Sequence, residues 1–185
     1  MSDATPAFTP VIVPGWRNSG PGHWQTLWAE SLPGAIRVEQ ADWDWPKREA
    51  WVARLGEVVR AATKPVVLAA HSLGCIAVAH LPRDVLAEVA GALLVAPADP
   101  ERRGPLADFS PVPHGRLPFH SIVVASDNDP YCPVRLAGAY ARGWGSDFVR
   151  VPGAGHINVA SGHGHWPLGL ALLQSLAPAL ETAAD

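Results

Sequence analysis

Residues 65–75 place a serine at an abrupt change between two apolar segments. The stretch reads Pro65-Val66-Val67-Leu68-Ala69-Ala70-His71-Ser72-Leu73-Gly74-Cys75. Small and β-branched residues before the serine predict a buried strand, and the small apolar residues 75–80 predict a helix after the turn. Such a turn holds its serine at the carboxyl end of a sheet, beside the unpaired N–H groups of a helix N-terminus. Ser72 is therefore a candidate nucleophile.

The turn departs by one residue from the usual nucleophile-elbow pattern, G-x-S-x-G. Here the pattern begins with Ala70 and ends with Gly74. Small residues are needed at both positions because the strand and the helix approach each other closely, and alanine is the next smallest choice after glycine. The alternative is an ordinary strand-to-helix turn in which Ser72 only caps the helix.

The composition favours one globular domain that acts on a small molecule. A chain of 185 residues with 48% hydrophobic residues fits a single domain over residues 1–185, with flexible tails at 1–9 and 181–185. The net charge of -3 and the 17% of charged residues offer no basic surface for nucleic acid or for a membrane. No stretch approaches the ~20 apolar residues of a membrane span. No feature identifies a protein partner.

Cysteine usage indicates a reducing compartment. Cys75 and Cys132 are the only cysteines, and Cys75 falls in the predicted helix behind the turn, which argues against a disulfide framework. The N-terminus carries neither a basic region nor a long apolar region of the secretory type. We therefore expect a cytoplasmic protein.

Predicted strands alternate with predicted helices along the chain. The strands are expected at 11–13, 35–39, 65–70, 92–96, 119–125 and 147–151. The helices are expected to begin near Pro21, to cover 48–63, 75–80 and 133–142, and to end the chain at 166–180. This alternation predicts an α/β fold, a three-layer α/β/α sandwich around a mostly parallel sheet of about six strands. Ligands of such sheets bind beyond the carboxyl ends of the strands.

Possible partners of Ser72 follow the last two predicted strands. Asp127 and Asp129 come after the fifth strand, and His156 comes after the sixth. The resulting order, Ser then Asp then His, is the order expected of an α/β-hydrolase.

Five stretches make the resemblance to a family specific. They are residues 13–16, 19–24, 70–74, 127–133 and 155–158, spread over about residues 11–180. On these stretches the chain resembles the α/β-hydrolase superfamily, and within it the small serine hydrolases related to retinoblastoma-binding protein 9. The resemblance implies an α/β-hydrolase fold without a large lid, and a catalytic triad of Ser72, Asp129 and His156.

The choice of acid depends on its distance from Pro133. The superfamily's acid commonly stands four residues before a proline that opens the next helix. Asp129 is in that position, whereas Asp127 lies six residues before the proline. Asp127 is then expected to cap its own loop through backbone N–H groups.

Further residues are expected to line or complete the site. The oxyanion hole would use the backbone N–H groups of Leu73 and Trp16, with Arg17 as the alternative to Trp16. His23, Trp43 and His71 are candidate substrate-binding residues. The alternatives are a helix-capping role for His23, packing against the first predicted helix for Trp43, and packing beside the turn for His71.

No cofactor or metal is expected. Neither a dinucleotide fingerprint nor a P-loop is present, and His163 and His165 have no acidic or cysteine partners at ligand spacing beside His156.

Two functions remain open at this point. The first is hydrolysis of small carboxylic esters or related acyl compounds through an acyl-enzyme. Residues 97–118 are too short to form the large lid of many lipases, so small soluble substrates are expected. The alternative is a non-catalytic binding or scaffold protein that retains the hydrolase fold.

Overall fold

The computed structural model describes residues 8–62 and 65–177, which form one six-stranded sheet flanked by helices. The strands are β1 (Thr9–Val13), β2 (Ile36–Arg37), β3 (Val66–His71), β4 (Val89–Val95), β5 (His120–Ser126) and β6 (Asp147–Val151). Their order in the sheet is β2-β1-β3-β4-β5-β6, and every neighbouring pair is parallel. The predicted α/β fold with a mostly parallel sheet of about six strands is therefore confirmed.

Helices connect the strands and cover both faces of the sheet. They are α1 (Trp24–Ser31), α2 (Arg48–Ala61), α3 (Leu73–Ala79), α4 (Arg83–Leu86), α5 (Val134–Trp144) and α6 (Pro167–Ser175). Short 3-10 helices lie at Pro100–Arg102, Gly104–Phe109 and Val159–Ser161. Among the described residues, no helix is long and apolar enough to cross a membrane.

The central strand β3 divides the core into two layers. Val66, Leu68 and Ala70 point into a cluster with α2, α3 and α5, while Val67 and Ala69 point into a cluster with α1 and α6. Successive side chains of a strand face opposite sides of the sheet, so a strand covered on both faces needs apolar residues at every position. This explains the uninterrupted apolar run before Ser72.

A group of tryptophans joins the two helices on the second face. The ring of Trp24 lies 4.6 Å from that of Trp28 and 5.4 Å from that of Trp166. Trp28 and Trp166 are stacked at 6.2 Å between centroids. These large rings fill the space between α1, α6 and the sheet, and they bring Trp24 under the loop that follows β6.

Several boundaries differ from the predictions for physical reasons. β1 begins at Thr9, which pairs with Val66, so the predicted tail 1–9 is too long, and its residues 1–7 lie outside the described ones. β2, an edge strand that pairs with β1 alone, contains only Ile36 and Arg37 of the predicted 35–39. The four-residue helix α4, which begins just after Pro82, was not predicted. Residues 63, 178–180 and 181–185 of other predicted segments lie outside the described residues.

Candidate active site

Ser72 stands at a strained turn between β3 and α3. Its φ is 55°, in the left-handed region that non-glycine residues seldom adopt. Its N–H donates to the Val95 carbonyl at 2.9 Å, and its carbonyl accepts from the Ala98 N–H at 3.2 Å. Both the N–H and the carbonyl of Ser72 are thus bound by residues at or just after the end of β4. Such strain is typical of functional turns.

Two glycines allow the chain to pack tightly around this turn. A Cβ on Gly74 would lie 2.9 Å from the Pro14 carbonyl oxygen and would clash with that of Val13. A Cβ on Gly15 would lie 2.8 Å from the His71 carbonyl oxygen and 2.9 Å from the Ser72 Cβ. The loop after β1 can therefore approach Ser72 only because these positions lack side chains.

The last residue of β5 and the two residues after it bind three consecutive N–H groups after β6. The Asp127 carboxylate accepts from Gly153 at 2.8 Å, the Ser126 hydroxyl accepts from Ala154 at 2.8 Å, and the Asn128 side chain accepts from Gly155 at 2.7 Å. The loop after β5 therefore positions the loop that carries the next residue, His156.

Asp129, and not Asp127, contacts His156. The His156 Nδ1 lies 2.9 and 3.0 Å from the two oxygens of the Asp129 carboxylate, and both side chains are almost fully buried. Because a carboxylate only accepts, Nδ1 donates, and in the tautomer of the neutral ring that this bond requires Nε2 carries no proton. The Asp127 carboxylate lies 3.3 Å from the Arg150 guanidinium, and its hydrogen bond from Gly153 N lowers its pKa.

The loop that carries His156 is held at two adjacent carbonyls. The Trp24 indole N–H donates to the Ile157 carbonyl at 3.0 Å, and the His71 Nε2 lies 2.8 Å from the His156 carbonyl. A carbonyl only accepts, so Nε2 of His71 carries the proton. Ile157 has a φ of 50°, a costly conformation for a β-branched residue, so these bonds help to hold it.

A cavity opens beside Ser72, which we call the elbow cavity. Its volume is about 160 Å³. Its lining comes from the loops at the carboxyl ends of β1, β3, β4, β5 and β6, together with the N-terminus of α1. The lining residues are Gly15, Trp16, Arg17, Asn18, His23, His71, Ser72, Ala98, Asp99, Arg103, Leu106, Tyr131, His156 and Asn158. Ser72 and His156 thus share one small cavity.

Two buried histidines of this lining are neutral at neutral pH. Burial, the Arg37 charge, His156 and His163 lower the pKa of His23 to about 4. Burial and the neighbouring His156 and His23 hold the pKa of His71 well below its ordinary value. The His23 Nδ1 also accepts from the Gln25 N–H at 3.1 Å at the start of α1. His23 therefore lines the cavity and caps the helix at the same time.

Two other predicted site residues lie differently from the expectation. The Arg17 N–H donates to the Trp43 carbonyl at 3.0 Å, so it is already engaged and does not serve as the alternative to Trp16. Trp43 does not line the elbow cavity; its ring packs edge-on against Trp51 of α2 at 5.5 Å. Trp43 therefore packs against a helix as the alternative expected, but the helix is α2 and not the first helix, α1.

The sequence analysis overlooked several residues of the site. Gln25 is fully buried, and its amide donates to the carbonyls of Val13 and Ala69 at 3.0 and 2.9 Å, so it links the ends of β1 and β3. Tyr131 places its ring 4.5 Å from that of His156. Arg103 belongs to the segment 97–118, where the sequence has no periodic signal. Only Gln25 had a sequence signal, a lone amide beside the apolar face of a helix.

The two cysteines are buried side chains, and among the residues that the structure describes, the types that bind metals do not cluster around them. Cys75 and Cys132 are free and buried, and burial raises the pKa of the Cys132 thiol to about 12. No group of three or more His, Cys, Asp or Glu within 8–62 and 65–177 is arranged to hold a metal ion.

Comparison with known proteins identifies the family. The family model described as serine hydrolase matches residues 10–175. A YdeN-like hydrolase from Pectobacterium atrosepticum is 34% identical, with 92% of this chain and 93% of that chain covered and a TM-score of 0.83. The ydeN gene product of B. subtilis is 22% identical, with 91% and 97% covered and a TM-score of 0.75.

An esterase is among the more distant structural neighbours. Thermogutta terrifontis esterase 2, in a structure phosphorylated by paraoxon, is 17% identical, with 93% of this chain and 80% of that chain covered and a TM-score of 0.63. No curated protein matches the sequence. The match over residues 10–175 and the 34% identity to the YdeN-like hydrolase show that this chain belongs to the serine hydrolase family of the α/β-hydrolase superfamily.

Proposed function

We propose that the chain hydrolyses small carboxylic esters with Ser72 as nucleophile, His156 as general base and Asp129 as the acid that orients His156. The observation that carries this proposal is the short hydrogen bond from His156 Nδ1 to the buried Asp129 carboxylate, with His156 and Ser72 lining one cavity. Asp129 holds the imidazole in the tautomer whose Nε2 can accept a proton.

The reaction proceeds in two steps that balance in atoms and charge. His156 takes the Ser72 hydroxyl proton while Oγ attacks the ester carbonyl, and the proton passes to the leaving alcohol as the carbon–oxygen bond breaks. His156 then takes a proton from water while the water oxygen attacks the acyl carbonyl, the bond from that carbonyl to Ser72 Oγ breaks, and His156 returns the proton to Oγ as the carboxylic acid leaves. Asp129 stabilises the imidazolium in both steps without becoming protonated.

The negative oxygen of the intermediate needs two backbone donors. We assign the N–H groups of Leu73, directly after Ser72, and of Trp16, in the loop that Gly15 brings against Ser72. Arg17 is excluded as the second donor because its N–H binds Trp43. Each donor of this kind contributes about 3 kcal/mol to transition-state stabilisation.

The cavity favours short acyl groups. Its volume of about 160 Å³ is below the range of ~300–1,000 Å³ that is usual for drug-sized ligands. The segment 97–118 contributes Ala98 and Leu106 to the wall and contains only short 3-10 helices. Within the family, we place the chain near the small hydrolases related to retinoblastoma-binding protein 9, on the basis of residues 19–24 and 155–158.

Labelling by a fluorophosphonate probe at neutral pH tests the nucleophile and the base. We expect the parent to be labelled, and Ser72→Ala and His156→Ala to remain unlabelled. Ser31→Ala is the matched control, because Ser31 is exposed on α1 and lies outside the cavity. A folded parent that takes no label would refute the proposal and leave a binding protein with the hydrolase fold.

The two aspartates provide a matched test of the acid. Asp129→Asn should lower kcat for a short ester by about 10³–10⁴, because the amide favours the wrong imidazole tautomer. Asp127→Asn removes one charge from the same loop but should lower kcat only a few fold, since Asp127 contacts Gly153 and Arg150. Equal losses in the two variants would contradict the assignment of Asp129.

A further inference from the structure

Two arginines from different loops line the mouth of the elbow cavity. Arg17 follows β1, and Arg103 follows β4 between the first two 3-10 helices. Both side chains reach water: that of Arg17 is 68% exposed, and Arg103 is also exposed. The proposed ester hydrolysis needs neither of them for its chemistry, so their presence requires another explanation.

An aromatic ring of the cavity orders each guanidinium. The Arg17 Cζ lies 4.3 Å from the centroid of the Trp16 ring, and the Arg103 Cζ lies 4.9 Å from that of the Tyr131 ring. Stacking on a ring face restrains a guanidinium while its N–H edge stays available to a ligand. Tyr131 also packs on His156 at 4.5 Å. Arg103 is therefore only one aromatic ring away from the proposed base.

The acidic residues nearby leave this positive charge largely uncompensated. Asp99 lines the cavity, but its carboxylate already binds the Arg102 guanidinium at 3.2 Å and the Glu101 N–H at 3.2 Å. The pair of Arg17 with Asp44 is loose, at 3.9 Å between two exposed side chains, and such pairs contribute little. Within the described part of the chain, no carboxylate lies at ion-pair distance from Arg103.

Apart from the arginines and the paired Asp99, the lining of the cavity includes apolar and neutral side chains. Ala98 and Leu106 are each 3% exposed and offer only hydrocarbon to a ligand. The imidazoles of His23 and His71 carry no charge at neutral pH, since burial lowers both pKa values. A ligand that fits this arrangement has a short hydrocarbon segment next to its ester and an anionic group at its far end.

We propose that the elbow cavity selects esters that carry a free carboxylate a few bonds from the scissile carbonyl, with Arg103 and Arg17 binding that carboxylate. Half-esters of short dicarboxylic acids are the simplest members of this class. This substrate class rests on the proposed hydrolase function, and it adds charge selection to a site that would otherwise accept any short ester.

Two methyl esters of equal length give the direct test. Monomethyl glutarate and methyl pentanoate differ in the replacement of a terminal methyl group by a carboxylate, and proton release at neutral pH follows both reactions. We expect kcat/KM for the half-ester to exceed that for the neutral ester by about tenfold, the scale of a partly screened charge-assisted hydrogen bond. Addition of 0.5 M NaCl, roughly a fourfold rise over physiological salt, should reduce this ratio.

Three variants locate the selectivity. Arg103→Gln and Arg17→Gln should each lower the ratio of the two kcat/KM values about threefold. Arg83→Gln is the matched control, because it removes the same charge from the exposed surface of α4, away from the cavity. A ratio of one or less in the parent, or a ratio that neither cavity variant changes, would overturn the substrate class.

The failure of this inference can be distinguished from failure of the proposed function. If the fluorophosphonate labels Ser72 but kcat/KM for the half-ester does not exceed that for the neutral ester, only the charge selection is refuted. If Ser72 takes no label and neither ester is cleaved, both the function and the substrate class fall. If turnover of the labelled protein is too slow to follow, protection of Ser72 from the probe gives the same comparison. Stronger protection by monomethyl glutarate than by methyl pentanoate supports the inference, and equal protection overturns it.

Discussion

The hydrogen bond from Trp24 to the loop of His156 gives the sharpest test of how the site is held. Trp24→Phe keeps an aromatic ring in the tryptophan cluster but removes the N–H that binds the Ile157 carbonyl at 3.0 Å. This carbonyl is buried, so it is left without its partner. An unsatisfied buried polar group costs about 1–3 kcal/mol, and the smaller ring adds about 1 kcal/mol for the space it leaves. We expect the free energy of unfolding to fall by about 2–4 kcal/mol.

Activity should fall for a reason separate from this loss of stability. Ile157 is held at a φ of 50°, a conformation that costs a non-glycine residue about 1–2 kcal/mol. Without the bond from Trp24, the backbone can relax and shift His156, the adjacent residue. A misplacement that adds about 1.4 kcal/mol to the barrier lowers kcat tenfold. KM for a short ester should change little, because Trp24 does not line the elbow cavity.

Trp144→Phe is the matched control for this variant. Trp144 is also buried, and its indole N–H donates to the Pro113 carbonyl at 2.7 Å, but it lies in the core on the opposite face of the sheet. Urea unfolding should show losses of similar size in the two variants, while kcat should fall only in Trp24→Phe. Equal kcat in the two variants, or an equal decrease in both, would refute the reasoning.

Three further predictions concern the turn, the acid stability and the substrate length. Gly74→Ala should abolish folding or lower the free energy of unfolding by about 2 kcal/mol or more, since the new Cβ meets the Val13 carbonyl; Gly104→Ala, where a Cβ meets no atom within 4 Å, should be tolerated. Because His23 has a pKa of about 4 when folded and ~6.5 when unfolded, the unfolded state binds more protons below pH 6.5, and stability should fall by about 2 kcal/mol between pH 7 and pH 5. Urea unfolding at both pH values measures this loss of stability. If His23→Asn loses as much stability between pH 7 and pH 5 as the parent does, the prediction is wrong. Finally, kcat/KM should decrease steadily from butyrate to dodecanoate esters, because the cavity holds only about 160 Å³; a preference for the longest ester would exclude the assigned acyl site.

The sequence was sufficient to predict the layout of the strands and the edge of the sheet at which the site lies. The β-branched runs and their spacing predicted a mostly parallel sheet of about six strands, and the structure has six, all parallel. Ser72, Asp129 and His156 were all expected beyond strand ends, and they lie after β3, β5 and β6. These features depend on local patterns and on the general rule that the carboxyl ends of parallel strands share one edge.

Contacts between distant segments could not be predicted in the same way. Asp127 and Asp129 are chemically identical and two residues apart; the spacing to Pro133 favoured Asp129 by family resemblance, but the contacts of the two carboxylates, with His156 and with Gly153, come only from the fold. Trp43 follows a strand as the site residues do, yet it packs on Trp51. A side chain's direction in a loop depends on the partners that the fold brings to it, and no periodicity in the sequence encodes those partners.

The amino-acid sequence by itself determined the serine at a tight turn, the two-sided burial of β3 and the order in which the acid and the histidine follow. Each of these depends on residues close together in the chain, because strand periodicity and turn chemistry act over a few residues. The tertiary structure alone decided the assembly of the cavity. The bond from Trp24 to Ile157 spans 133 residues, and Arg103 reaches Tyr131 from another loop. Such contacts exist only after the sheet has brought its loops to one edge, and they determine which charges a substrate meets.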